Sequence, residues 1–263
     1  MSRLRRTVRF VLARAGRHAD RVARLSHYLA VSTLRREEMN DSIRRTWNDF
    51  YAAHTSVDAG LLPWEQEVIE RVAAPGARVL LVGCGSGRDL IALAERGCAV
   101  TGVEPAASAL RLADRALRER RLSAVLLEGF FEDVPVSGAF DAVIFSFYCY
   151  AFIPESQRRI DALRKAAAVL APGGHIVLSH ASTAVRPRPL VISLARLAGT
   201  LCGADWRLEP GDLVWDTRTG PHAYSYAHAF DAGELEREAA AAGLTPVFNR
   251  ATSENVVVAL SVR

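Results

Sequence analysis

The sequence has few cysteines and no apolar stretch long enough to cross a membrane. Its four cysteines are widely spaced and form no Cys-x-x-Cys pair, and no histidines cluster at metal-ligand spacing, so no metal site is expected. The apolar run at residues 190–201 is interrupted by Arg196 and Gly199, whereas a membrane-spanning helix needs about 20 apolar residues. We expect a cytoplasmic protein with reduced thiols.

A secretory signal is not expected, because Arg14 interrupts the apolar residues 10–13 and no small-residue cleavage site follows. The basic charge is concentrated in the same region. Residues 1–36 contain ten arginines and one acid, Asp20, for a net +9, which leaves −5 for the rest of a chain whose formal charge is +4. An acidic main domain argues against nucleic acid as a partner.

Apolar residues recur at helical spacing between these arginines, which predicts a basic amphipathic extension of one or two helices over residues 1–39. Such a helix can lie on an anionic membrane or on nucleic acid, with residues 1–36 as the contact. It can equally pack on its own domain or on another subunit, and an organelle transit peptide is a third interpretation. The oligomeric state stays open.

Residues 40–75 are expected to form a helical cap, and residues 76–263 a main domain in which short apolar strands alternate with helices. The run at 78–82 is apolar throughout, as in a strand buried on both faces of a parallel sheet. Further strands are predicted at 99–103, 124–127, 140–145 and 175–179, and helices at 89–96, 106–120 and 155–170. This alternation predicts an α/β, doubly wound sheet, with residues 245–248 and 255–260 closing it as antiparallel strands.

Residues 186–229 interrupt the alternation and are expected to be an inserted lid. The chemistry is expected at the glycine-rich segment 83–87, which follows the first strand and precedes a helix. Absent side chains let a ligand approach the backbone there, and the helix N–H groups point at it. A dinucleotide-binding motif has its last glycine where Arg88 stands, which disfavours NAD or FAD as the ligand. No Gly-Lys-Ser/Thr follows the segment, so the phosphate-binding loop of nucleoside triphosphatases is missing as well. Glu104 ends the second strand, where an acid in nucleotide-binding sheets accepts hydrogen bonds from both ribose hydroxyls.

Five segments, in this order along the chain, resemble the class I S-adenosylmethionine-dependent methyltransferase family. They are residues 79–87, 103–105, 128–135, 140–143 and 170–174. The resemblance covers roughly residues 76–180 and 230–263. It implies a Rossmann-like sheet of seven mostly parallel strands whose last strand is antiparallel, S-adenosylmethionine as the cofactor, and transfer of its methyl group.

The cofactor-binding residues expected on these grounds are Gly83, Cys84, Gly85, Gly87, Glu104, Pro105, Phe130, Phe131, Glu132, Phe145 and Ser146. By resemblance, Phe131 offers its backbone N–H to the adenine ring and Phe130 packs on the ring face. Two positions depart from the family pattern, because Leu81 and Phe130 stand where members often have acids. Glu132 or Asp133 is then left to bond the adenine amino group.

No motif names the methyl acceptor, and the Asn-Pro-Pro-Tyr sequence of nucleobase amino-methylation is absent. Substrate or lid contacts are expected from Trp47, Tyr51, His54, Tyr148 and Tyr150. If the acceptor must lose a proton, the candidate acids and bases are His180, Tyr226 and His228. A strong base is optional, since the sulfonium already activates the methyl group and positioning and desolvation provide most of the acceleration.

The leading hypothesis is a methyltransferase acting on oxygen or nitrogen of a small-molecule acceptor beneath a lid of residues 40–62 and 186–229. One alternative keeps the chemistry but makes the acceptor a lipid or a membrane-associated molecule. An alternative of another class is a non-catalytic protein that binds S-adenosylmethionine as a sensor or scaffold.

Overall fold

The computed structural model describes residues 3–54, 57, 60–182, 186–217 and 224–262. Its helices are α1 Arg3–Ser32, α2 Arg36–Ala52, α3 Pro63–Val72, α4 Arg88–Glu95, α5 Ala107–Glu119, α6 Ser156–Ala168, α7 Pro189–Cys202 and α8 Glu234–Ala241. Its strands are β1 Arg78–Val82, β2 Ala99–Glu104, β3 Val125–Glu128, β4 Phe140–Phe145, β5 Leu170–Ala181, β6 Asp212–Asp216, β7 Tyr224–His228, β8 Leu244–Ala251 and β9 Asn255–Val262. A short 3-10 helix, Cys149–Phe152, follows β4.

Parts of the predicted segments lie outside the described residues: 1–2 of the extension, 55–56 and 58–59 of the cap, 218–223 of the insertion, and 183–185 and 263 of the main domain.

The main sheet has seven strands in the order β3-β2-β1-β4-β5-β9-β8. All neighbours pair in parallel except β9, which runs antiparallel to both β5 and β8. The prediction of a doubly wound, mostly parallel sheet with an antiparallel final strand is therefore confirmed. β5 begins earlier than predicted, at Leu170, because the segment before His175 already pairs with β4 through an irregular register.

Alternation along the central strands provides two cores, one on each face of the sheet. Val79 and Leu81 face the helices α3, α4 and α5. Leu80 and Val82 face α6 and α8. All four side chains are buried, as expected for a strand covered on both faces. Because the helices cover both faces, the carboxyl ends of the strands are the open edge at which a ligand can bind.

A third core joins the end of α1 to α2, α7 and the hairpin of β6 and β7. Its buried apolar residues are Tyr28, Val31, Met39, Ile43, Ile192, Ala195, Trp206, Leu208, Val214 and Tyr226. The Tyr28 hydroxyl donates to the Asp212 carbonyl over 2.9 Å, and the Trp206 indole N–H donates to the Leu34 carbonyl over 2.9 Å. A Cβ at Gly199 would lie 2.5 Å from the Ser32 carbonyl oxygen, so glycine is what allows α7 to approach α1 this closely.

Within the predicted extension, residues 3–32 form one continuous helix, α1, and residues 36–39 already belong to α2. The two ends of α1 have different surroundings. Every side chain that the structure describes between Phe10 and Arg24 is exposed, whereas Tyr28 and Val31 are buried in the third core. Among the described residues, no helix is both long and apolar enough to traverse a bilayer.

Candidate functional site

A cavity of about 240 Å³ lies at the carboxyl ends of β1, β2 and β4, beneath α2. Val82, Val103 and Ser146 line it at these strand ends, and Trp47 and Tyr51 line it from α2. This is the edge of a doubly wound sheet where ligands bind. The cavity is therefore the candidate active site.

The floor of the cavity is the glycine loop predicted from the sequence. Gly83 and Gly85 have φ of 72° and 51°, a left-handed conformation that glycine adopts without a Cβ penalty. A Cβ on Gly85 would lie 2.5 Å from the Tyr51 hydroxyl oxygen, and one on Gly83 would overlap the Cys149 sulfur. The Gly83 N–H donates to the Val103 carbonyl over 2.8 Å. Glycine is thus required both by the turn and by the side chains above it.

Glu104 is the buried acid beside this loop, with 6% of its surface exposed. Its two carboxylate oxygens accept hydrogen bonds from the backbone N–H groups of Gly85 (3.1 Å) and Ala106 (3.0 Å). Burial raises the pKa of Glu104 to about 7, and these two hydrogen bonds oppose the rise. The carboxylate is held rigidly with its remaining lone pairs available to hydroxyl donors.

A charged network that the sequence interpretation missed forms one wall. Arg88 donates two hydrogen bonds of 2.7 Å to Glu65 of α3 and pairs with Asp89 at 2.7 Å. Asp89 also accepts a hydrogen bond from the Ser146 hydroxyl. Burial and the nearby Glu65 raise the pKa of Asp89 to about 6, while Arg88 and Ser146 oppose the rise. The network ties the cap to the loop and to the end of β4.

The roof is aromatic and comes from α2. Trp47 stacks on Tyr51 with a centroid separation of 6.0 Å and meets Phe152 edge to face at 5.8 Å. Burial raises the pKa of Tyr51, so its hydroxyl stays protonated. The Ser108 hydroxyl donates to the Asn48 carbonyl over 2.8 Å, which fastens α2 to α5.

The turn after β3 forms the side where an adenine ring is expected. Phe130 and Glu132 line the cavity, and the Arg44 guanidinium lies 5.4 Å from the Phe130 ring centroid. The Lys165 ammonium donates to the carbonyls of Phe131, Glu132 and Val134 over 2.6, 3.1 and 2.7 Å. These three bonds explain why the only lysine of the chain lies on α6: it holds the turn in place.

Most of the predicted cofactor residues meet at the cavity. Those that line it are Gly83, Cys84, Gly85, Glu104, Pro105, Phe130, Phe131, Glu132 and Ser146, with Trp47 and Tyr51 from the substrate and lid set. Ser86 of the predicted loop also lines it, and the structure adds lining residues that were not predicted: Asn40, Ile43, Val82, Arg88, Asp89, Val103, Gly129, Phe147, Cys149, Phe152, Ile153 and Pro154. The positions of Arg88 and Asp89 directly after the loop are a sequence signal that could have identified those two.

Two predicted cofactor residues do not line the cavity. Gly87 has φ of 101° and caps α4, and a Cβ there would lie 3.1 Å from that of Ala113, so glycine allows α4 to begin close to α5. Phe145 is 1% exposed and meets Phe131 edge to face at 5.6 Å in the core. The ring of Phe145 thus supports the turn from below.

Three predicted substrate or lid residues also lie elsewhere. Tyr150 is fully buried, and its hydroxyl donates to Glu238 over 2.8 Å. Tyr148 stacks on Trp64 of α3 at 6.1 Å, outside the cavity. His54 is exposed, with its Nδ1 atom 2.6 Å from the Phe50 carbonyl. For Tyr148 and Tyr150 the cause is the loop after β4, where Phe147 and Tyr148 have positive φ, 33° and 63°, so the chain turns there instead of continuing as the extended strand that the prediction assumed.

The acid and base candidates do not line the cavity either. The ring of His180 lies against Phe230 at 4.9 Å. Tyr226 is fully buried, and its hydroxyl donates to Asp212 over 2.6 Å; the Nδ1 atom of His228 lies 2.7 Å from the same carboxylate oxygen. The contacts of Tyr226 and His228 belong to a buried polar network within the hairpin of β6 and β7. The placement of all three candidates outside the cavity argues against direct proton transfer to or from a substrate.

The inserted segment covers the cap rather than the cavity. No residue described between 186 and 217 or between 224 and 229 lines the cavity. Instead β7 packs on α2, and the Ser42 hydroxyl of α2 donates to the Tyr224 carbonyl over 2.9 Å. The insertion therefore supports the helix that forms the roof.

Residues 79–174 match the family model of a methyltransferase domain. The cypemycin N-terminal methyltransferase of a Streptomyces species is 33% identical over 126 residues, 48% of this chain and 49% of that protein. A ubiquinone biosynthesis O-methyltransferase of Xanthomonas campestris is 34% identical over 114 residues, 43% of this chain and 46% of that protein. The chain thus spans about half the length of the curated relatives it matches.

Solved structures show the same fold. The CcbJ methyltransferase from Streptomyces caelestis superimposes with a TM-score of 0.63 at 19% identity, over 84% of this chain and 99% of that one. The glycopeptide N-methyltransferase MtfA in complex with S-adenosylmethionine superimposes with a TM-score of 0.53 at 18% identity, over 75% of this chain and 92% of that one.

Proposed function

We propose that the chain transfers a methyl group from S-adenosylmethionine to oxygen or nitrogen of a small-molecule acceptor, because residues 79–174 match the family model of a methyltransferase domain. The observation that carries the proposal is the cavity at the strand ends, where the glycine loop, Glu104 and the turn at Phe130 surround one space. Similar chains include both N- and O-methyltransferases, which supports either acceptor atom.

The residues present fit the cofactor. A ribose needs an acceptor for two hydroxyl donors, and Glu104 is a rigid buried carboxylate facing the cavity. The glycine loop lines the cavity with backbone, and larger residues do not fit at Gly83 or Gly85 because a Cβ there would meet Cys149 or Tyr51. Phe130 offers a ring face on the adenine side. The replacement of acids at Leu81 and Phe130 does not remove this set, since Leu81 is a buried core residue.

When bound, the cofactor supplies a methyl group activated by the positive charge of its sulfonium. The chain has to orient the reactants and keep water away from them. Glu104 and the loop fix the donor, and the aromatic roof of Trp47 and Tyr51 excludes solvent above it. This division of labour needs no strong base, which agrees with the placement of His180, Tyr226 and His228 outside the cavity.

A small acceptor is supported by the size of the cavity and by its roof. Residues of α2 and of the segment 152–154 extend the lining beyond the cofactor set with Asn40, Ile43, Phe152, Ile153 and Pro154. This part is mainly apolar with one amide, which favours an acceptor with an apolar body. A lipid or membrane-associated acceptor is the second candidate, favoured by the exposed apolar residues of α1 and α7.

Calorimetry and a transfer assay test the proposal. We expect the full chain to bind S-adenosylhomocysteine, Glu104→Gln to bind it about tenfold more weakly or worse, since a charge-assisted hydrogen bond contributes ~1.5–3 kcal/mol, and the exposed control Glu119→Gln to bind as the wild type. Incubation with methyl-labelled S-adenosylmethionine and a panel of phenols and amines should then label at least one compound. Absence of binding at millimolar ligand would overturn the proposal, and binding without transfer to any acceptor class would favour a sensor or scaffold.

A further inference from the structure

The exposed face of α7 has an apolar stripe that the fold leaves uncovered. Ile192, Ala195 and Gly199 are buried and attach the helix to the third core. On the opposite side Leu190, Leu194, Leu197 and Leu201 are 68, 40, 57 and 78% exposed. They recur at intervals of four, three and four residues, so they form one continuous stripe along the helix.

The adjoining helix α1 adds apolar groups and positive charge. α7 packs on α1 close to Ser32. Further along α1, Phe10, Leu12 and Val22 are 60, 65 and 68% exposed, among exposed arginines that include Arg14, Arg21 and Arg24. Residues 3–24 contain eight arginines and one acid, and α7 contains no acid.

From these two helices we infer that the chain has a membrane-docking surface, made of the α7 leucine stripe and the described side chains of α1 between Phe10 and Arg24, that binds the surface of an anionic bilayer. Leucines buried at the acyl boundary and arginines at the headgroups are the two contributions to binding of interfacial helices. The surface uses less of residues 1–36 than the sequence suggested, because Tyr28 and Val31 are buried in the third core, and it also includes α7.

The charge decides between a bilayer and a second copy of the chain. Two copies of residues 3–24 would each bring a net +7 to a shared interface, whereas anionic lipids attract that charge. The leucine spacing also resembles a coiled-coil seam, but α7 has only 14 residues, two heptads, and sustained coiled coils need about three to four. Nucleic acid would engage the arginines, yet exposed leucines gain nothing against a phosphate backbone.

Vesicle co-sedimentation with the full chain tests the surface. We expect binding to equimolar phosphatidylglycerol and phosphatidylcholine vesicles, and weak binding to phosphatidylcholine alone. Leu197→Ser with Leu201→Ser should weaken binding about tenfold or more, because each leucine side chain contributes ~1.5–3 kcal/mol when fully buried. The matched control Val125→Ser, an exposed apolar residue of β3, should bind as the wild type.

The charge contribution has its own pair of variants. Arg14→Glu with Arg21→Glu should weaken binding to anionic vesicles, and the weakening should shrink at about 1 M salt, where charges are screened beyond ~3 Å. Arg111→Glu with Arg115→Glu, exposed on α5, makes the same charge change elsewhere and should have little effect. Unchanged thermal unfolding of each variant shows that the fold is intact.

Three results would overturn the inference: no binding to anionic vesicles, vesicle binding that the α7 serines leave unchanged, or binding of duplex DNA in preference to vesicles. Ultracentrifugation of the free chain gives a fourth, a dimer that the α7 serines dissociate, which would assign the stripe to a second copy. None of these measurements depends on methyl transfer, so the docking surface and the proposed function fail separately.

Discussion

Single residues around the cavity carry the chemistry, and Glu104 is the one whose ionisation matters most. It is buried, it accepts two backbone hydrogen bonds, and burial raises its pKa to about 7. The ionised form can accept hydrogen bonds from two ribose hydroxyls, whereas the neutral form has one oxygen occupied by its own proton. Cofactor affinity therefore depends on pH near neutrality.

We expect the affinity for S-adenosylhomocysteine to be constant above the pKa of Glu104 and to fall as the pH drops below about 7, since the ligand must then bind a chain whose Glu104 is protonated. Calorimetric titrations between about pH 6 and pH 8 measure this. Glu104→Gln has no ionisable group there and should show a flat profile. An equally steep profile in that variant would assign the titration to another group.

The contact between Gly85 and Tyr51 couples the loop to the roof. In Gly85→Ala the new methyl would lie 2.5 Å from the Tyr51 hydroxyl oxygen, so Tyr51 must move off the loop. We expect binding of S-adenosylhomocysteine to weaken about tenfold, corresponding to ~1.4 kcal/mol, and Tyr51→Phe in that background to restore part of the loss. At the control position Gly97, φ is also positive (85°, against 51° at Gly85), but nothing lies within 4 Å of a Cβ there, so Gly97→Ala should leave binding unchanged.

At the scale of elements, the hairpin of β6 and β7 is held to α6 and α8 by buried ionic groups. Arg159 of α6 is fully buried and pairs with Glu238 at 2.8 Å and with Glu209 at 3.2 Å. His228 lies between Asp212 at 2.7 Å and Glu234 at 3.0 Å. Among the described residues, Glu209, Asp212 and His228 also have spacing that a metal ion could use, but both ring nitrogens of His228 already lie at hydrogen-bond distance from carboxylates.

Stability should follow the ionisation of His228. Burial lowers its pKa, but the hydrogen bonds to Asp212 and Glu234 outweigh burial and raise it above 6.5. Its contribution is therefore fully present below pH 6.5 and is lost as the pH rises through the folded-state pKa. His228→Gln should lower the free energy of unfolding by ~1.5–3 kcal/mol at acidic pH and by less at alkaline pH. Urea unfolding at several pH values measures the difference, and a constant difference would show that His228 is neutral in the fold.

For the whole molecule, the boundary between the packed part of the chain and its exposed amino-terminal extension lies within α1. Every described side chain from Phe10 to Arg24 is exposed, while Tyr28 and Val31 are buried. Deleting residues 1–24 should change the free energy of unfolding by no more than about 0.5 kcal/mol, as for surface changes in general. Extending the deletion to residue 34 removes two core side chains and should cost several kcal/mol, about 2–5 for each large residue lost. Thermal unfolding of the two deletions, with cofactor binding as a second readout, compares them; equal stability would place the boundary elsewhere.

The sequence by itself determined the sheet and the floor of the site. Continuous apolar strands, the glycine loop and Glu104 are local signals, because burial on both faces, positive φ and an acid at a strand end depend on a few neighbouring residues. The confirmed sheet and the lining positions of Gly83, Gly85 and Glu104 follow from those signals.

Only the tertiary structure decided what lies around that floor. Arg88 meets Glu65 across 23 positions of sequence, Tyr51 covers Gly85 from a separate helix, and Tyr226 and His228 turn into a buried network instead of the cavity. The α7 leucines are likewise exposed because Ser32 and the third core cover the opposite face of that helix. Contacts of this kind are set by packing between distant segments, which periodicity along one segment does not encode.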